Sequence, residues 1–201
     1  MQKENNCCGC AAAAQPVDDS RRRVFKIAAA GIAAGIGLSR KSGDALAAAS
    51  VDGPVAGDFL VDDNAEGELK PITIDDLTPL KPLVVYPLNS KTNKPKADSR
   101  LNRIVLIRMN AADFSAETKK DAAGDVLAFS AICTHQGCDV KTWMSADKAL
   151  ACFCHGSKFQ PLDAGAVVLG PATRAMPVLP IRLDGKKIVV AAGFKTPPGM
   201  G

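Results

Sequence analysis

The chain has 201 residues, 47% of them hydrophobic and 4% aromatic, with a formal net charge of +4. That much apolar material is enough for one sizeable core and excludes an intrinsically disordered chain. The first fifty residues carry seven basic and four acidic groups, which leaves only about +1 for the rest; so weak a field and so few aromatic rings exclude nucleic acid as a partner.

Residues 1–49 read as a leader. SRRRVFKIAAAGIAAGIGLSRK runs from an arginine cluster into a mild apolar stretch, Ile27 to Leu38, and Arg22, Arg23, Val24, Phe25 and Lys26 resemble a twin-arginine export signal. That route carries folded proteins, so the resemblance implies a passenger whose cofactor is inserted before export. The apolar stretch is shorter than the roughly 20 residues of a usual membrane span. Ala47 and Ala49 provide a small-x-small cleavage pattern before Ser50. Cleavage would leave a soluble periplasmic protein, and retention would anchor it on the periplasmic side of the bacterial inner membrane. NNCCGC, with Cys7, Cys8 and Cys10, reads as an unstructured n-region.

Residues 50–80 are acidic and rich in Gly, Pro and Asp, and read as a linker or neck. After them come β-prone runs at Leu83–Tyr86, Ile104–Met109, Val126–Ile132, Ala166–Leu169, Ile181–Leu183 and Ile188–Ala191. Asp184-Gly185 between the last two signals a hairpin, because glycine tolerates the positive φ of such a turn. Only Ala111–Ala123 reads as helical, with Asp113 or Ser115 as N-cap. The expectation is an all-β domain over residues 81–195, small and antiparallel with long loops, followed by a tail at 196–201.

Two loops carry the chemistry. CTHQGC (Cys133–Cys138) and CFCHGS (Cys152–Ser157) each combine cysteine with one of the two histidines of the whole chain, His135 and His155. Histidine used nowhere else argues that these two are kept for a chemical task. Two thiolates and two imidazoles complete a four-ligand site, either for a tetrahedral zinc or for a two-iron cluster whose second iron is held by imidazoles. Cys138 and Cys154 are surplus to that set. Trp143 reads as packing, and Gly137 and Gly156 as relief of backbone strain in the loops.

C-T-H-x-G-C followed by C-x-C-H-G-S resembles the Rieske iron-sulfur proteins of cytochrome bc-type complexes, over about residues 70 to 195. The resemblance implies a small β-sandwich with a cluster-binding subdomain of two loops. It implies a [2Fe-2S] cluster with Cys133 and Cys152 on one iron and His135 and His155 on the other. It implies further that Cys138 and Cys154 form a disulfide over the cluster, that Ser157 donates its hydroxyl to a bridging sulfide, and that GPATR (Gly170–Arg174) is the family's proline loop. The chain would then pass single electrons without being catalytic alone.

Three positions depart from the best-known members. Phe159 stands where high-potential members carry a tyrosine, Gln136 where quinol-oxidising members have leucine at the docking tip, and Thr173 where proline is usual. Loss of the tyrosine hydroxyl implies a potential below that of the highest members. Two sets of partners are therefore weighed. In the first, the chain takes an electron and a coupled proton from quinol beside cytochrome b and delivers the electron to a c-type cytochrome. In the second, it is similar to the Rieske subunit of the molybdenum arsenite oxidases and relays electrons from a catalytic subunit to a soluble cytochrome. A zinc module is the third and weakest reading.

Overall fold

A computed structural model describes residues 52–65 and 67–200. The export signal, the cleavage pattern and the early cysteines lie outside the described residues. No helix among those described is long and apolar enough to cross a membrane.

Among the described residues, ten short strands form two antiparallel sheets. The larger contains β1 (Phe59–Asp62), β2 (Leu83–Leu88), β3 (Ile104–Arg108), β4 (Val126–Ser130), β9 (Ile181–Asp184) and β10 (Lys187–Val190), in the order β4-β3-β2-β1-β10-β9. The smaller runs β5 (Thr142–Met144), β6 (Ala149–Cys152), β7 (Ser157–Gln160) and β8 (Ala166–Leu169) in sequence order. All six anticipated runs are strands. The large sheet is buried on both faces along β3 and β4, which is why those strands read as unbroken apolar runs rather than alternating ones. Ile104 and Leu106 point with Val126 and Ala128 into one core, where Leu60, Val85, Ile181, Ile188 and Val190 join them from the other strands. Val105, Ile107, Leu127 and Phe129 point the opposite way, into a second core shared with Leu150, Phe159, Cys133 and Cys152 of the small subdomain. A period of two thus places the reactive cysteines against the rear of β3 and β4.

The helical reading of Ala111–Ala123 is half right. Asn110 caps a single 3-10 turn at Ala111–Asp113, and the true helix α1 spans only Ala116–Asp121, with the Ser115 hydroxyl accepting the Thr118 N–H at 3.1 Å. The two caps divide the segment, and Phe114 between them is buried. At the hairpin the turn lies one residue later than the Asp184-Gly185 signal: Asp184 pairs with Lys187, so Gly185 and Lys186 form the loop, with Gly185 at φ +60° in the first central position.

The reading of residues 50–80 as a neck is overturned. β1 lies inside the large sheet, pairing with β2 and β10, and Leu60 and Val61 are buried. Ile72 continues the pairing, donating its N–H to the Leu60 carbonyl and accepting that of Ile188. The acidic composition conceals an internal ion pair: Asp58 and Lys96 are both buried and meet at 2.9 Å, and the Lys96 ammonium also donates to the Gly53 carbonyl and to Asp52. Burial alone would push that ammonium down, but Asp58 and Asp52 hold it above its ordinary value. The domain therefore begins by about Asp52. Lys96→Met should cost about 3 kcal/mol in urea unfolding, because it strands a buried Asp58 carboxylate; a loss below about 0.5 kcal/mol would contradict the internal role of this pair. The segment 196–200 also packs on the domain, with Arg174 Nη2 donating to the Gly199 carbonyl at 2.6 Å.

Candidate metal centre

The two loops meet at one end of the small sheet. Loop 1 leaves β4 and turns tightly: the Cys133 N–H donates to the Cys138 carbonyl at 2.7 Å and the Gly137 N–H returns to the Cys133 carbonyl at 2.9 Å. Gly137 sits at φ +73°, which its neighbours could not adopt cheaply. Loop 2 joins β6 to β7, with Cys152 opposite Ser157 across the ladder and the Gly156 N–H donating to the Cys152 carbonyl. Both loops thus present Cys-anchored turns of the same kind. The carbonyl of each anchoring cysteine receives the N–H of the loop glycine.

The residues singled out from the two motifs lie on these two loops, which a disulfide and a histidine pair join. Cys133 and Cys152 are free thiols, 1% and 2% exposed, and share one hydrophobic core. Burial pushes the Cys152 thiol up, and the neighbouring Cys133 adds to the effect while backbone N–H groups of the loop oppose it. The rings of His135 and His155 meet edge to face with centroids 4.8 Å apart. His135 is half-buried with its Nδ1 enclosed and without a partner, whereas His155 is exposed. Cys138 and Cys154 are joined in a disulfide with Cα atoms 6.5 Å apart. Their sulfurs lie within 4.8 Å of that of Cys152, but two oxidised sulfurs cannot serve as thiolate ligands, so this trio is not itself a metal site.

The donor set fits a cluster with mixed ligands. The paired loops carry two buried thiols and two imidazoles in contact, and the enclosed His135 nitrogen needs a partner, as a ligand atom would. Ser157 is fully buried, and its oxygen accepts the Ala172 N–H at 3.2 Å, leaving the hydroxyl proton free to donate elsewhere. Phe159 is also fully buried, in the same core as both free cysteines.

Three supports steady the loops through contacts that the sequence did not show, although the Gly170–Arg174 stretch itself was named there. Gly170 opens the GPATR stretch at φ +91°, and a Cβ there would stand 2.5 Å from Ser157 Cα and 2.7 Å from its nitrogen. The Thr134 hydroxyl, buried between Cys133 and His135, donates to the Arg174 carbonyl at 2.7 Å and ties loop 1 to that stretch. Asp139, at the foot of loop 1, receives Arg100 at 2.9 Å and Arg103 at 2.6 Å, while Arg100 also donates to the Gly137 carbonyl. Burial alone would raise the Asp139 carboxyl, but the two guanidinium groups hold it below the usual carboxylate range. Its stabilisation is therefore present above the unfolded value of about 3.9 and is lost as pH falls through the lower folded value. Acid unfolding of Asp139→Asn should lack that decline; a variant whose acid limb matched the parent's would show the pairs to be ineffective. Only the Gly170 φ had a sequence signal, in Gly-Pro.

Comparison with known proteins agrees with this geometry. Residues 88–180 match the model of the Rieske [2Fe-2S] domain. Residues 88–180 are thus similar to the Rieske [2Fe-2S] domain, and such a domain implies a [2Fe-2S] cluster as cofactor. The cytochrome bc1 complex Rieske iron-sulfur subunit of Corynebacterium glutamicum is 38% identical over 97 residues, which are 46% of this chain and 24% of that protein. A putative respiratory nitrate reductase Rieske subunit of Haloferax mediterranei is 45% identical over 75 residues, 37% of this chain and 33% of that one. The match thus spans about a quarter to a third of these relatives' length. Among solved structures, the plasma membrane Rieske protein PetC3 of Synechocystis PCC 6803 aligns with 60% of this chain and 95% of its own, at 27% identity and a TM-score of 0.39.

Proposed function

We propose that this chain is an electron-transfer subunit in which Cys133 and Cys152 hold one iron of the cluster and His135 and His155 the other. The observation that carries the reading is the difference in burial across the donor set: two buried thiols, and two imidazoles in contact of which one, His155, is open to solvent. When bound, a cluster with neutral imidazoles in place of two thiolates takes up one electron at about −150 to +300 mV, within reach of a quinol donor. Once its outward nitrogen has given up its proton, His155 would accept a hydrogen bond there from the quinol hydroxyl and take up the coupled proton. The buried cysteines and the disulfide keep water from the rear of the site. Ser157, whose hydroxyl proton is free, would donate it to a bound cluster and so favour the reduced form. The electron then passes to a c-type cytochrome, with cytochrome b as the neighbour on the quinol side. The cytochrome bc1 relatives support this arrangement, and an arginine-rich leader supports a place on the periplasmic side of the bacterial inner membrane.

A second reading has its own support. Gln136 is exposed at the tip of loop 1, and a polar tip enters an apolar quinol pocket less readily. Phe159 supplies no hydroxyl to the site. Both suit a Rieske subunit that relays electrons from a catalytic oxidoreductase subunit, and the Haloferax relative belongs by its name to such an enzyme. Low-temperature EPR of dithionite-reduced membranes, with and without a quinol-pocket inhibitor, separates the two. A Rieske signal that changes shape with inhibitor favours the quinol site; one that is unmoved favours the relay.

A further inference from the structure

Three sulfurs crowd the rear of the tip. Those of Cys138, Cys152 and Cys154 all lie within 4.8 Å of one another. Two are bonded, and the third is a free thiol on a residue 2% exposed. Thiol–disulfide exchange requires a sulfur to approach one end of an existing disulfide, and it consumes neither oxidant nor reductant. Here the fold holds the free sulfur within 4.8 Å of both bonded ones. Burial keeps external thiols and oxidants away from Cys152, which leaves the bridge beside it as the reaction partner, and it also slows the exchange by disfavouring the attacking thiolate.

We propose that Cys152, whenever iron does not engage its sulfur, exchanges into the native bridge to give a Cys138–Cys152 disulfide and a free Cys154 thiol. The Cys152–Cys138 bond forms as the Cys138–Cys154 bond breaks. The proton given up by Cys152 ends on Cys154, and the number of disulfides is unchanged. Attack on the other sulfur would give Cys152–Cys154, which joins residues within loop 2 and releases loop 1. The proposed product instead closes a loop only two residues shorter than the native separation of 16, and so retains nearly all the entropy that the native bridge removes from the unfolded chain. The free thiol moves from a buried position to an exposed one, because Cys154 is exposed.

The exchange rests on sulfur geometry alone; its consequence rests on the proposed role of Cys152 as a ligand. A chain that acquires its disulfide without its cluster is diverted into an isomer in which one ligand is consumed. Thiol reductant reverses the diversion, which makes cluster loading sensitive to the order of the two events.

The test uses the full chain with Cys7, Cys8 and Cys10 replaced by serine, stripped of iron by a chelator under air. Folding is checked by far-UV circular dichroism, and samples are quenched at intervals in acid, alkylated and mapped by mass spectrometry without reduction. Expected is a growing Cys138–Cys152 crosslink with alkylated Cys154, at least tenfold over any isomer containing Cys133, and none in Cys152→Ser. A Cys138–Cys154 bridge that persists over hours, or Cys133 isomers in equal amount, as an unfolded chain would give, overturns the proposal. Iron and sulfide are then added with and without dithiothreitol. Reconstitution only after reduction is expected. If the isomerised chain takes up its cluster unreduced, the ligand role of Cys152 falls while the exchange stands; if no exchange occurs but loading succeeds, the reverse holds.

Discussion

Replacing His155 by alanine is expected to remove the cluster while leaving the β-sheets in place. A mixed-ligand cluster has four protein bonds, and loss of one would leave an iron with an open position at an exposed point of the tip. Changes in groups that merely support ligands cost about 10- to 100-fold in metal affinity, so removal of a ligand should exceed that range. The reduced Rieske EPR signal and the visible absorption should both disappear, and iron per chain should fall correspondingly. Far-UV circular dichroism should remain near that of the parent, because His155 contributes nothing to either core. His135→Ala should behave alike, with one difference. Its Nδ1 is enclosed, so the variant also leaves a void beside the buried cysteines. A parental EPR signal in either variant would refute the ligand assignment. A colourless parent containing zinc would refute the cluster itself.

Gly170→Ala should produce the largest loss of stability among single-methyl changes in the described domain. Two costs add there. The backbone stands at φ +91°, where an alanine is strained by roughly 1–2 kcal/mol. The new methyl would also lie 2.5 Å from Ser157 Cα, 2.7 Å from Ser157 N and 2.8 Å from the Gly156 carbonyl oxygen. Those atoms are backbone and cannot turn aside as a side chain can. The Gly170–Arg174 stretch must lift, which breaks the Ala172 N–H bond to the Ser157 hydroxyl and loosens the Thr134 bond to Arg174. A total of about 4 kcal/mol would lower the midpoint of thermal unfolding by roughly 8–16 °C in a domain of this size. Gly185→Ala provides the comparison, since its φ is +60° but nothing stands within 4 Å of the added methyl. It should cost only the conformational strain. Equal losses at the two positions would mean that the close approach at Gly170 has no energetic weight. The cluster of Gly170→Ala should also bleach faster in air, because the lifted stretch uncovers Ser157.

The sequence by itself determined the reactive set. Cysteine and histidine at 133, 135, 138, 152, 154 and 155 could be read as one site because ligand chemistry needs those side chains at short local spacings, and local spacing survives folding. The long strands were legible for a similar reason, since β3 and β4 are apolar on both faces and remain apolar runs in any context. Strands β5, β6 and β7 were not legible. They have three or four residues each, and Cys152 and Ser157 within them are present for chemistry as much as for pairing.

Only the tertiary structure decided where the domain begins and what steadies the tip. β1 and the Asp58–Lys96 pair sit in a segment whose composition resembles a linker, because a buried carboxylate looks like a solvated one until its distant partner is known. The pairing of Arg100 and Arg103 with Asp139, the close seat of Gly170 on Ser157, and the three sulfurs within 4.8 Å are likewise relations between remote residues. Their energies depend on distance and burial, which the fold sets and residue types alone do not.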